Sequence, residues 1–162
     1  MRPLGQFRLF ADHYQFILSD AEADPLEDVP QWDDPEAART KAKGYVASDS
    51  AAFIKSRADL NDIVVRVFMS DQPPKATACD RQFNFNMSIP SGELNVTSLN
   101  VDSPNVVSVP PGDYVIYVRS FNLGVDEMTT GELSKDNPKR MSNAERFARH
   151  DFEHHHIVLV PL

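Results

Sequence analysis

The residues in this chain whose types and spacing suit chemistry are three consecutive histidines, His154-His155-His156, and a run of carboxylates between Asp20 and Glu36. On a strand, His154 and His156 point to one face and His155 to the other, because successive side chains alternate. Two imidazoles on one face ligate zinc when a third ligand arrives from elsewhere, and no HExxH or CxxC spacing supplies it. The simpler reading makes the histidines the frayed start of a strand that continues as "IVLVPL". His154 and His156 stay as the metal candidates, and no cofactor is expected. Asp20, Glu22 and Asp24 alternate like the first calcium ligands of an EF-hand, but Pro25 stands where that loop needs Gly and Gln31 where it needs a bidentate Glu. A looser calcium site on a sandwich loop stays open as an alternative. Nucleophilic chemistry has little support: there is no GxSxG elbow, and Cys79 in "PPKATACDRQ" has no neighbour in sequence that would make it a thiolate. With six glycines and neither a Walker loop nor a GxGxxG, backbone for cradling phosphate is scarce. A non-enzymatic protein is expected.

The stretch "DAEADPLEDVPQWDDPE", Asp20 to Glu36, carries eight carboxylates and no Lys or Arg. Without it the chain has 16 acidic and 16 basic residues, so the net charge of −8 belongs to one segment. Such a chain is repelled by nucleic acid, whose binding requires a Lys/Arg surface. It approaches a basic protein quickly, because complementary fields raise the encounter rate. A solvated acidic loop without a specific role is the plain alternative. Trp32, the one tryptophan, lies inside the segment. It suits a hot-spot anchor, since Trp is enriched there, or a pin holding the loop to the body of the protein.

The elements that position these residues are mostly strands. In "RQFNFNMSI" (Arg81–Ile89), Phe83, Phe85, Met87 and Ile89 share one face and Gln82, Asn84, Asn86 and Ser88 the other. "ELNVTSL" (Glu93–Leu99) repeats the pattern after "PSG", and the two runs read as a hairpin. "IVVRVFM" (Ile63–Met69) and "DYVIYVRSF" (Asp113–Phe121) are more continuously apolar, as central strands are. Further strands are expected at Phe7–Phe10, His13–Leu18, Gly44–Ser48, Ala51–Lys55, Val106–Val109 and His154–Val160. Turn residues every ten positions or so favour an antiparallel β-sandwich of about 8–10 strands. Two short peripheral helices interrupt it. "DDPEAARTKAKG" offers Asp34 as N-cap, Pro35 in the first turn and Gly44 past the end, and "MSNAERFARHDF" offers Ser142 and Glu145 as a capping box. The chain length suits a single domain over 1–162, with a long inter-strand excursion at about 124–151. No apolar run is long enough to span a bilayer and no leader is apparent, so no membrane association and a cytoplasmic location are expected; the lone Cys79 makes no internal disulfide. An exposed edge strand such as Phe7–Phe10 could pair two copies into a homodimer.

The order "HYQFILSD", an acidic Pro-containing segment, Trp32, "GYVASDSAAFIKSR", "DIVVRVFM" and "PPGDYVIYVRSFNLG" resembles the competence protein J family, over roughly Phe7–Gly124 and the closing strand. That resemblance implies a bacterial β-sandwich protein that inhibits the nuclease of DNA uptake. An inhibitor can occupy a basic nuclease cleft by presenting carboxylates. On this reading Asp20, Glu22, Asp24, Glu27, Asp28, Asp33 and Asp34 form the acidic contact and Trp32 the apolar anchor. The excursion at 124–151 is longer than the family pattern. The rival readings are a small metal- or calcium-dependent module, enzyme or lectin-like, and a self-associating structural domain.

Overall fold

The computed structural model describes residues 1–58, 61–99, 101, 103–123 and 153–162. Among them, in chain order, run β1 (Arg2–Ala11), β2 (Gln15–Asp20), helix α1 (Pro25–Asp28), a 3-10 turn (Pro35–Ala37) leading into helix α2 (Ala38–Lys43), β3 (Tyr45–Ala47), β4 (Ala51–Lys55), β5 (Asn61–Met69), β6 (Arg81–Ile89), β7 (Glu93–Thr97), β8 (Asn105–Ser108), β9 (Gly112–Phe121) and β10 (His154–Pro161). They form two five-stranded sheets, in the orders β1-β5-β10-β9-β6 and β3-β4-β2-β7-β8. This is the expected all-β sandwich, with β5 and β9 central and β1 at an edge. It departs from a purely antiparallel one at a single pairing: β10 runs parallel to β5, with His154 opposite Val64 and Leu159 opposite Met69. Among the described residues no helix is long and apolar enough to cross a membrane. The expected helix at 141–152 and the whole excursion at 124–151 lie outside the described residues.

Alternation dictates the core. Phe83, Phe85, Met87 and Ile89 of β6 are buried between the sheets, together with Leu94 and Val96 of β7, Ile63, Val65 and Val67 of β5, and Ile116 and Val118 of β9. Each such side chain contributes about 1.5–3 kcal/mol when fully withdrawn from water. The expected β6–β7 hairpin is corrected here. β6 pairs with β9 in the first sheet, whereas β7 pairs with β2 and β8 in the second. Pro90-Ser91-Gly92 therefore crosses between sheets. Both strands still turn their apolar faces to one core, which is why period-2 patterning alone reads the same either way. Strand β2 also starts two residues later than expected, at Gln15, because His13 and Tyr14 both take left-handed backbone at φ 56° and form the turn out of β1.

A second, smaller apolar cluster lies on the outer face of the second sheet. Ile17, Val46, Ala51 and Phe53 of that sheet are covered by Val29 and Ala37, with Trp32 and Leu99 packed against them. The acidic segment is thus the cover of this face. Its helix signals act as expected: the Asp34 carboxylate accepts from Glu36 N at 2.9 Å, Pro35 opens the 3-10 turn, and Gly44 closes α2 at φ 100°. Helix α1 was not legible in the sequence; the Asp24 carboxylate caps it by accepting from Leu26 N at 3.1 Å.

Candidate functional site

The carboxylates of the segment divide into those that build it and those that face solvent. Asp20, at the end of β2, is buried. One of its oxygens accepts from Ser91 N at 3.0 Å and Ser91 Oγ at 2.5 Å, and the other from Glu22 N at 3.0 Å. Its placement corrects the expectation of a displayed contact: this carboxylate ties the segment to the crossing between β6 and β7. Asp24 and Asp34 cap their helical turns, and Asp28 accepts from Asp24 N at 3.0 Å. Glu22, Asp24, Glu27, Asp28 and Asp33 are exposed, and Asp34 half-buried. Among the described residues, the side chains of Glu22, Glu27 and Asp33 make no hydrogen bond, and no Lys or Arg forms an ion pair with any carboxylate of the segment. A short span fixed at several points therefore displays uncompensated negative charge.

Trp32 takes the part of the expected pin. It packs on the apolar cluster, its Nε1 donates to Oε1 of the buried Gln15 at 2.7 Å, and the Lys55 ammonium lies 5.0 Å above its ring. Half of the ring's setting is therefore structural, and the remainder is open at the surface.

The histidines separate as alternation requires. His154 and His156 share the outer face of the first sheet, ring centroids 5.4 Å apart, each 4.8 Å from the Phe121 ring. Burial first, then the charges of His154, Arg66 and Arg119, push His156 down to about 4. Among the described residues no group of three His, Cys, Asp or Glu side chains is placed to hold a metal.

His155 points the other way, into the core, where it is fully buried beside Phe16. Its Nε2 donates to Glu153 Oε1 at 3.1 Å, and its Nδ1 accepts from Ser120 Oγ at 2.9 Å. Arg81 Nη2 in turn donates to Ser120 Oγ at 3.2 Å. Burial holds the imidazole below its ordinary pKa and outweighs the pull of Glu153. Burial alone would raise Glu153, but the hydrogen bond from His155 and the Arg57 and Ala58 N–H groups, at 2.9 and 2.8 Å, hold it below the carboxylate range. The result is a charged carboxylate beside a neutral histidine. Ser120, His155 and Glu153 are fully buried, and their hydrogen bonds tie β9, β10 and the chain after β4 together. Sequence reasoning missed this trio, although Glu153 and His155, two apart at a strand start, carry the signal of a shared face.

No family model matches the chain, and no curated protein matches it in sequence. Two solved structures share its architecture. The one described as crocagin biosynthetic gene J aligns with a TM-score of 0.54 at 17% identity, over 96% of this chain and 95% of its own. The crystal structure of ComJ from Bacillus subtilis, an inhibitor of the DNA-degrading activity of NucA, aligns with a TM-score of 0.64 at 15% identity, over 99% of this chain and 98% of its own. In fold, along essentially its whole length, the chain is similar to ComJ.

Proposed function

We propose that this chain is a non-enzymatic module that binds a basic protein through the acidic segment, and that the partner is a nuclease whose DNA-binding cleft the carboxylates occupy. The observation that carries this reading is the set of exposed, unpaired carboxylates Glu22, Glu27 and Asp33 on a segment anchored by Asp20, Val29 and Trp32. Carboxylates held on a fixed frame match a phosphate-binding surface without the ordering cost of a loose acidic tail. Similarity of fold to an inhibitor of a DNA-degrading nuclease supports the partner class. Asp24, Asp28 and Asp34 contribute charge at the same face while serving the local backbone, and Trp32 borders the contact as its apolar part. A partner of this kind, a cytoplasmic location and a bacterial source belong to the same proposal.

The test leaves the anchors untouched. Immobilised wild-type chain is compared with the triple variant Glu22→Lys, Glu27→Lys, Asp33→Lys in affinity capture from host lysate. A DNA-degrading nuclease retained by the wild type and lost from the variant is the expected result. Equal retention on both removes the acidic segment from the contact.

A further inference from the structure

Beside the acidic segment lies a cleft of about 390 Å³, lined by His13 and Tyr14 of the β1–β2 turn, Trp32, and Lys55, Ser56 and Arg57 at the end of β4. We propose that this cleft binds an organic carboxylate carried on an apolar body, as presented by the last residue of a peptide or by a small aromatic acid. Its volume falls within the range of ligand pockets, roughly 300–1,000 Å³.

The apolar half of the site is preorganised. The Trp32 ring is fixed by its hydrogen bond to buried Gln15, so it offers a wall at no ordering cost. Tyr14 is an aromatic left 54% exposed at the rim. Both His13 and Tyr14 sit at φ 56°, a backbone region that bulky L-residues avoid at a cost of roughly 1–2 kcal/mol each. The Asp12–Gln15 bridge and the hydrogen bond from Ser56 N to the Tyr14 carbonyl at 2.9 Å hold the turn in that state. Glycine would fill such a turn without strain.

The polar half selects the charge. Lys55 stands over the indole and lines the cleft, so a monoanion finds a cation there. Asp12, at the end of the turn, is engaged by His13 Nδ1 at 2.9 Å. Every backbone N–H from Lys55 to Ala58 is already spent, on Gly44 O, Tyr14 O and the two oxygens of Glu153. No nest of N–H groups is left for a phosphate, which favours such cradles. Recognition therefore rests on the Lys55 cation and an aromatic face, the chemistry of a carboxylate with an apolar neighbour.

Because Trp32 is the chain's one tryptophan, its fluorescence reports on this cleft alone. The full chain is titrated with N-acetylphenylalanine, phenylacetate, N-acetylphenylalaninamide and inorganic phosphate. N-acetylphenylalanine or phenylacetate should shift the Trp32 emission saturably, and their ratio tells a peptide end from a small acid. The neutral amide should bind about tenfold or more weaker, and by calorimetry Lys55→Gln should weaken the acids by a similar factor while Lys55→Arg restores them. Equal binding of acid and amide, the same shift with phosphate alone, or no saturable response to either acid would overturn the proposal. No partner protein enters the titration, so its outcome is independent of the reading of the acidic segment.

Discussion

At the scale of single residues, the buried Glu153–His155–Ser120 chain makes the sharpest demands. Removing the carboxylate in Glu153→Ala leaves the N–H groups of Arg57 and Ala58 and the His155 Nε2–H without their acceptor inside the protein. Unsatisfied buried donors cost roughly 1–3 kcal/mol each, so a loss of about 3–5 kcal/mol is expected in denaturant unfolding. The same residues set the pH response. Folding depresses the pKa of His155, of His156 (to about 4) and of Glu153, so the unfolded chain binds more protons than the folded one on the acid side. Stability is then complete above the unfolded histidine value near 6.5, falls as pH drops from there toward 4, and falls further as Glu153 is protonated. A thermal midpoint that is level from neutral pH upward and declines steadily below about 6.5 is the expected result. A midpoint unchanged down to about pH 4.5 would contradict it. The sequence made the outward pair His154 and His156 conspicuous and hid the inward one, because which face meets the core depends on neighbours supplied by other strands.

At the scale of elements, the acidic segment acts as a lid that happens to be charged. Val29, Ala37 and Trp32 cover Ile17, Val46, Ala51 and Phe53, and the carboxylates follow from the side of the lid left to water. Trp32→Ala removes part of that apolar cover and strands Gln15 Oε1, so a cost of roughly 2–4 kcal/mol is expected, less than a fully buried Trp would show. A thermal or denaturant melt that barely moves would mean that the ring serves only the surface. Most strand positions were legible, because alternation in Arg81–Ile89 or the apolar run in Ile63–Met69 is a local property, but β1 begins at Arg2, five residues before the expected Phe7. Pairing was not. A connection such as Pro90-Ser91-Gly92 suits a hairpin and an inter-sheet crossing equally well, and the choice was made by β9 and β2, far away in the chain. The left-handed His13-Tyr14 turn was equally illegible, since no glycine or asparagine marks it.

At the scale of the whole molecule, a rigid sandwich carries its entire net charge of −8 on the segment that caps one sheet. The charge imbalance was plain in the sequence, but the division of labour within it was not. Asp20 is spent on Ser91, Asp24 and Asp34 on helix starts and Asp28 on the Asp24 N–H, which leaves Glu22, Glu27, Asp33 and Glu36 as the carboxylates of the segment without a hydrogen bond among the described residues. Exposed charges of one sign act mainly on the encounter rate and are screened by salt. The measurement that bears most directly on this account is inhibition of DNA degradation by the host's own nuclease, followed with wild type and with the Glu22→Lys, Glu27→Lys, Asp33→Lys variant at low and high ionic strength. The account predicts inhibition by the wild type that weakens with added salt and is absent from the folded variant. Equal inhibition by both proteins, or a wild-type effect indifferent to salt, would contradict it.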